Sequence, residues 1–209
     1  CAAERRSSTS MPTPSPQPVP SAPSANALQR PSAASPRWWE NSTNAPGVAI
    51  TAASTVVYLA AEFLGAFLGA VVCWIAYKQH YDEPLDPAAK LGTFSTGPEI
   101  RSAGWNVLTE VIATFVLVFV ILMFGGTPSG LGPLAVALLV VGIGASLGGP
   151  TGYAINPARD LGPRVAHAIL PIRGKGGSDW GYAWVPIVGP ILGALLAGGV
   201  FQLFPGAAF

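Results

Sequence analysis

The chain has 209 residues, of which 50% are hydrophobic and only 10% are charged. Its formal net charge of +1 gives no reason to expect a nucleic-acid partner. Its two cysteines are too few for a disulfide framework or a cysteine-based metal site. This composition is typical of a membrane protein.

Residues 1–54 differ sharply from the rest, because they are dense in proline, serine and alanine. Prolines at positions 12, 14, 16, 18, 20 and 23 interrupt any helical or strand pattern. A segment of this composition buries too little apolar surface to offset the entropy lost on ordering it. The sequence therefore predicts a disordered segment over 1–54 and a membrane domain over 55–209.

Long apolar stretches follow, and each is close to the roughly 20 residues that cross about 30 Å of hydrocarbon. They cover residues 56–77, 105–124, 131–147 and 182–204. The stretch 157–167 is too short to cross and is predicted to be a half-helix that enters from one face. These lengths predict an all-α membrane protein with about four spanning helices and one re-entrant half-helix.

A polar helix start lies inside this membrane domain. Asn156 suits the N-cap of a helix, and Pro157 suits its first position. The side-chain oxygen of Asn156 is expected to accept the amide of Ala158 or Arg159, which leaves its NH2 group as a donor. The helix dipole and the charge of Arg159 oppose cations. Such donors favour a pore lining for water or hydroxyls, and the alternative is an ordinary helix cap in a loop.

The residues before this helix start are rich in glycine. We interpret 148–152 as an extended descent whose backbone carbonyls serve as acceptors. An enzymatic function is not expected, because His80 and His167 are the only histidines in the sequence. Neither has a serine, cysteine or carboxylate at a spacing that indicates catalysis.

Residues 149–164, Gly-Pro-Thr-Gly-Tyr-Ala-Ile-Asn-Pro-Ala-Arg-Asp-Leu-Gly-Pro-Arg, resemble the second pore loop of the major intrinsic protein (aquaporin) family. The aspartate after Asn-Pro-Ala-Arg is similar to that of the glycerol-conducting branch, the aquaglyceroporins, in the style of bacterial glycerol facilitators. Residues 61–70, 93–98 and 180–190 resemble the same branch. The resemblance covers about 55–205 and implies the third to sixth helices of an aquaporin-like bundle.

The resemblance also implies roles for individual residues. Asn156 would donate to the permeant at the pore centre, while Arg159 and Tyr153 would be the charged and aromatic walls of the filter. Gly144 would leave room for glycerol, and Glu110 would hold the pore loop by accepting backbone amides. The expected pore set is Asn156, Pro157, Ala158, Arg159, Asp160, Tyr153 and Gly144, with Glu110 and Gly152 as loop support.

The implied activity is passive diffusion of glycerol and small uncharged solutes, with some water, and it requires no cofactor. The implied setting is the lipid bilayer of a bacterial plasma membrane, with a multi-pass chain and, in the family, a homo-tetramer. The family is not enzymatic.

One departure from the family concerns its two inverted repeats, each of which carries an Asn-Pro-Ala half-helix. This sequence matches the second repeat and only the last helix of the first, so a truncated channel is expected and the tetramer is in doubt. Glu62 stands where the family usually has glutamine. Out-of-frame translation or an assembly artefact is one hypothesis for residues 1–54. The alternative function is a non-conducting scaffold or fragment that associates with full-length channels.

Overall fold

The computed structural model describes residues 51–124 and 132–204. Helices joined by turns and irregular segments make up these two ranges, without a strand, so the all-α prediction is confirmed. Most of the segment predicted to be disordered, 1–50, lies outside the described residues. The helices are α1 (Ala52–Ala76), α2 (Lys78–Asp82), α3 (Pro87–Gly92), α4 (Ala103–Phe124), α5 (Gly132–Thr151), α6 (Pro157–Ile169) and α7 (Val185–Phe201).

Helix α1 begins before the predicted start of the membrane domain at residue 55. Thr51 and Ser54 form a capping box, in which each side chain accepts the backbone amide of the other at 3.1 and 2.8 Å. Such a box satisfies two amides that a helix start otherwise leaves unpaired. Residues 52–54 therefore form the first turn of α1.

Within residues 51–124 and 132–204, three helices are long and apolar enough to cross a membrane: α1, α4 and residues 133–151 of α5. Helix α7 is apolar but has 17 residues, a rise of about 26 Å, which is near the lower limit for a crossing. The span predicted at 182 begins later, because residues 182–184 form turns. In these turns the amide of Tyr182 donates to Asp179 O and that of Val185 donates to Tyr182 O.

The predicted extended descent over 148–152 is wrong. Helix α5 continues through Thr151, with Pro150 in its last turn, and the irregular segment before α6 is Gly152–Ile155. The glycines at 148 and 149 thus belong to the end of a helix. Glycine lowers helix propensity by about 1 kcal/mol, and here the tertiary contacts of α5 outweigh that preference.

Small residues set how closely the helices pack. A Cβ atom added to Gly189 would lie 2.5 Å from Glu110 Cβ, and one added to Gly193 would lie 2.5 Å from Val111 O. Helix α7 therefore lies directly against the backbone of α4. On α6, a Cβ atom at Gly162 would lie 3.0 Å from Phe63 O on α1. Close backbone approach at small residues is a common way for helices to associate in membranes.

The contact between α4 and α7 predicts a strong effect of one methyl group. Gly193→Ala places its Cβ atom against a backbone carbonyl that cannot move freely, so the free energy of unfolding should fall by about 1–3 kcal/mol. Gly198→Ala is the matched control in α7, because no atom lies within 4 Å of its added Cβ. Denaturant unfolding in detergent micelles measures both, and equal effects of the two substitutions would contradict the packing.

Candidate functional site

The loop between α5 and α6 has an unusual backbone. Gly152 has φ of 77°, and two residues with side chains, Tyr153 and Ile155, have φ of 42° and 46°. A left-handed conformation at a residue other than glycine costs about 1–3 kcal/mol, and it persists only where surrounding contacts enforce it. A Cβ atom at Gly152 would also lie 3.3 Å from Thr96 Cβ. Both the conformation and this close approach require glycine at 152.

The contacts that enforce this backbone come from Glu110 on α4. Its Oε1 atom accepts from Thr151 Oγ1 at 2.6 Å and from the amide of Ala154 at 3.0 Å. Its Oε2 atom accepts from the amide of Ile155 at 2.9 Å. Only 1% of Glu110 is exposed, so three donors surround a carboxylate in a water-poor place. A buried carboxylate needs such donors, and the loop in turn needs its acceptors.

Asn156 begins helix α6 as the sequence predicts. Its backbone is extended, and its side-chain oxygen accepts the amide of Ala158 at 2.8 Å, one of the two amides expected. Pro157 occupies the first helical position. Within the described part of the chain, no acceptor pairs with the NH2 group of Asn156, so that group is available as a donor. Asn156, Pro157 and Ala158 are all partly exposed.

Three of the predicted residues meet at the aromatic ring of Tyr153. The guanidinium carbon of exposed Arg159 lies 5.7 Å from the ring centroid, within the range of a cation–π contact. Gly144 lies beneath the tip of the ring, since a Cβ atom there would be 3.0 Å from Tyr153 Cζ. We call Gly144, Tyr153 and Arg159 the Tyr153 cluster. It presents a cation beside an aromatic ring, and the tip of that ring packs against the bare backbone of Gly144.

Asp160, which the resemblance groups with the pore residues, is a buried residue that binds other parts of the protein. Asp160 is 0% exposed, and its Oδ2 atom accepts from the amide and the hydroxyl of Thr96 at 2.7 and 2.6 Å. Its Oδ1 atom accepts from Nε of Arg164 at 2.8 Å. One residue of helix rotation turns Asp160 about 100° away from Arg159, because α-helices have 3.6 residues per turn. Its carboxylate therefore anchors α6 in the protein.

Arg164 is the main site-supporting residue that the sequence analysis missed. It is 0% exposed, and besides Asp160 it donates to the carbonyls of Thr96, Ser178 and Asp179 at 2.9, 2.8 and 3.1 Å. It thus joins α6 to the segment before α4 and to the loop before α7. The i,i+4 spacing of Asp160 and Arg164 on one helix was the available signal.

The other end of α6 is held by a lysine. The ammonium group of Lys175 donates to the carbonyls of His167, Ala168 and Leu170, each at 2.7 Å. These are carbonyls at or beyond the last turn of α6, where helices leave carbonyls unpaired and where the dipole favours a cation. The positive end of the dipole remains at Asn156, next to the Tyr153 cluster.

A second lysine, Lys90, is buried and joins the segment around α2 and α3 to the loop after α6. Lys90, 2% exposed, donates to the carbonyls of Tyr81, Glu83 and Arg173 at 2.8, 2.8 and 2.6 Å. Residues 51–124 and 132–204 contain no group of three histidine, cysteine or acidic side chains placed to hold a metal ion. Asp160, Arg164, Lys175 and Lys90 therefore form hydrogen bonds within the protein, whereas the side chain of Arg159 is exposed.

A short helix capped by Asn156 thus begins with Pro157 and Ala158, and the loop before it is bound by the buried carboxylate of Glu110 on an apolar helix. The sequence profile described as Major intrinsic protein matches residues 44–201. The chain therefore belongs to the major intrinsic protein family, whose members are channels and not enzymes.

Named relatives agree with this family. The chain is 62% identical over 147 residues to the glycerol uptake facilitator protein of Bacillus subtilis strain 168, covering 69% of this chain and 53% of that protein. It is 52% identical over 155 residues to glycerol uptake facilitator protein 3 of Lactiplantibacillus plantarum, covering 73% and 65%. The chain thus spans between about half and two thirds of these curated relatives.

A solved structure shares the fold. The aquaglyceroporin from Plasmodium falciparum superposes with a TM-score of 0.62 at 27% identity, covering 75% of this chain and 67% of that chain. The aquaporin-like fold predicted from the sequence is thereby confirmed.

The buried pair of Asp160 and Arg164 predicts a large loss of stability when it is broken. Arg164→Leu leaves a buried carboxylate without its ion partner, so the free energy of unfolding should fall by about 3–5 kcal/mol. Arg101→Leu is the matched control, because Arg101 pairs with Asp179 while its own side chain is 59% exposed. An exposed pair contributes roughly 0.2–1 kcal/mol. Unfolding curves of both variants in micelles test this, and a larger effect at Arg101 would contradict it.

The role of Glu110 as a hydrogen-bond acceptor predicts that its substitution also lowers stability. Glu110→Gln replaces one acceptor oxygen by an NH2 group, so at least one loop donor becomes unpaired, at a cost of about 1–3 kcal/mol. Glu62→Gln makes the same chemical change at an exposed position of α1 and should have little effect. Hydrogen exchange of the Ala154 and Ile155 amides, read by mass spectrometry, should accelerate in the first variant alone. Unchanged exchange would mean that the carboxylate does not hold the loop.

Proposed function

We propose that this chain is a passive transmembrane channel for glycerol and small uncharged solutes, with some water, of the aquaglyceroporin branch. The observation that carries the proposal is the Tyr153 cluster beside the unpaired NH2 group of Asn156. It combines hydrogen-bond donors for hydroxyls with an aromatic wall for the carbon chain of a polyol. The glycerol uptake facilitator proteins to which the chain is similar support this substrate class.

Selection against ions follows from charge at the same place. The amides of Ala154 and Ile155 are bound by Glu110, so side chains supply the donors that a permeant meets. Arg159 and the positive end of the α6 dipole repel cations. A neutral polyol or a water molecule is not repelled by this charge. Its oxygen atoms accept hydrogen bonds from Asn156 and Arg159 in turn. Movement then follows the concentration gradient and needs no cofactor.

One side of α1 is left open by the residues that the structure describes. None of their atoms lies within 4 Å of a Cβ atom added to Gly65 or Gly69, so a further helix can pack there. A second candidate function is a non-conducting scaffold or fragment that associates with full-length channels, and the open side of α1 favours it, because another subunit could pack there. In either case we infer a multi-pass chain in a bacterial plasma membrane, with a homo-tetramer as the assembly that the family implies.

Glycerol uptake by liposomes that contain the purified chain tests the proposal. Stopped-flow light scattering should show uptake well above that of empty vesicles. Arg159→Val should raise cation leak at least about tenfold, because a unit charge about 4 Å away is worth about 4 kcal/mol at an effective dielectric constant of 20.

The control for this experiment is Arg173→Val, which removes an exposed arginine from the loop after α6 and should change neither flux. Uptake equal to that of empty vesicles, with insertion verified, would contradict the channel and favour the scaffold. Equal effects of the two arginine substitutions would show that Arg159 does not act at the pore.

A further inference from the structure

The ring of Tyr153 rests on two glycines that lie one helical turn apart on α5. A Cβ atom at Gly148 would be 2.9 Å from Tyr153 Cδ1 and 3.3 Å from Cε1. A Cβ atom at Gly144 would be 3.0 Å from Cζ and 3.3 Å from the hydroxyl oxygen. Gly148 therefore lies under the root of the ring, and Gly144 lies under its tip.

The two ends of the ring differ in how freely they can move. The tip can swing through the side-chain torsions, which leaves the backbone in place. The root is bonded to a backbone with φ of 42°, and the next amide, that of Ala154, donates to Glu110. The amide of Gly152 also donates to Gly148 O at 2.8 Å, so Gly148 and the loop are joined directly. A group at 148 must therefore displace either the ring root or the loop.

We propose that Gly148 is a positioning residue for the Tyr153 cluster, because its missing side chain seats the root of the Tyr153 ring. It thereby sets the separation between the ring and the Arg159 guanidinium. This inference rests on the proposed function, where that separation bounds the path of the solute. Gly144, the residue expected from the sequence, controls the ring tip alone.

The size of the displacement follows from contact distances. Carbon atoms in contact lie about 3.5–4.0 Å apart, so a Cβ atom at 148 forces a movement of about 0.6–1.1 Å at the ring root. A movement of this size is large compared with the width of a gap that admits one polyol molecule at a time. In vesicles that conduct, Gly148→Ala should change the ratio of xylitol to glycerol uptake severalfold, whereas Gly149→Ala should leave it unchanged.

The decisive experiment reads the ring itself. The full chain, carrying tyrosine with 13C in its ring, is reconstituted in nanodiscs, and Tyr153→Phe identifies the residue-153 resonance among the five tyrosines. Gly148→Ala should shift this resonance by more than its linewidth. Gly149→Ala is the matched control, since it alters the neighbouring glycine of the same helix and no atom lies within 4 Å of its added Cβ. Equal spectra of the two variants would overturn the proposal.

A further variant covers the case in which Gly148→Ala does not fold. Removing the ring removes the conflict, so Gly148→Ala combined with Tyr153→Ala should fold as well as Tyr153→Ala alone. Failure of the double variant, with the single Tyr153→Ala folded, would overturn the proposal. Absence of glycerol uptake by the unsubstituted chain would instead contradict the proposed function. The two failures can be told apart, because the residue-153 resonance reports the position of the ring whether or not the chain conducts.

Discussion

The carboxylate of Glu110 is the group on which the rest of the site depends. It accepts three hydrogen bonds from the end of α5 and the following loop, and it is almost fully buried. Irregular backbone at membrane depth is tolerated only where protein or a water-filled cavity satisfies its polar groups. Without these acceptors, the left-handed residues Tyr153 and Ile155 would have no compensation for their strain. The ring of Tyr153 and the start of α6 are placed by that same loop.

The half-helix α6 is polar for its location, and charged side chains bind it to the rest of the protein. Asp160 and Arg164 connect it to Thr96 and to the loop before α7, and Lys175 binds the carbonyls at its carboxyl end. Together these bonds leave Arg159 as the cation that α6 exposes. This difference between the paired charges and Arg159 has a physical basis. A charge inside the protein must be paired, whereas a charge that selects solutes must stay accessible.

The apolar pattern and the Asn-Pro pair were sufficient to predict much of the architecture. Long apolar runs predicted the spanning helices, and Asn156 with Pro157 predicted the start of α6, because both signals are local. The predicted ends of the helices were less accurate, because local signals do not include the packing and turns that decide where a helix ends. The helix preference of 148–151 is decided by packing, and the start of α7 is decided by turns at Tyr182. The Asp160–Arg164 pair was readable as an i,i+4 spacing, but its burial was not.

The sequence by itself determined the helix class, the membrane character and the family of this protein, since these follow from hydropathy, caps and an ordered set of motifs. Only the tertiary structure decided which side chains meet. Glu110 reaches Ala154 across 44 positions of sequence, and Gly148 meets Tyr153 only because α5 ends one turn later and the loop folds back. Such contacts depend on the rotation and depth of packed helices, which are set by close backbone approach at residues such as Gly189 and not by any local pattern.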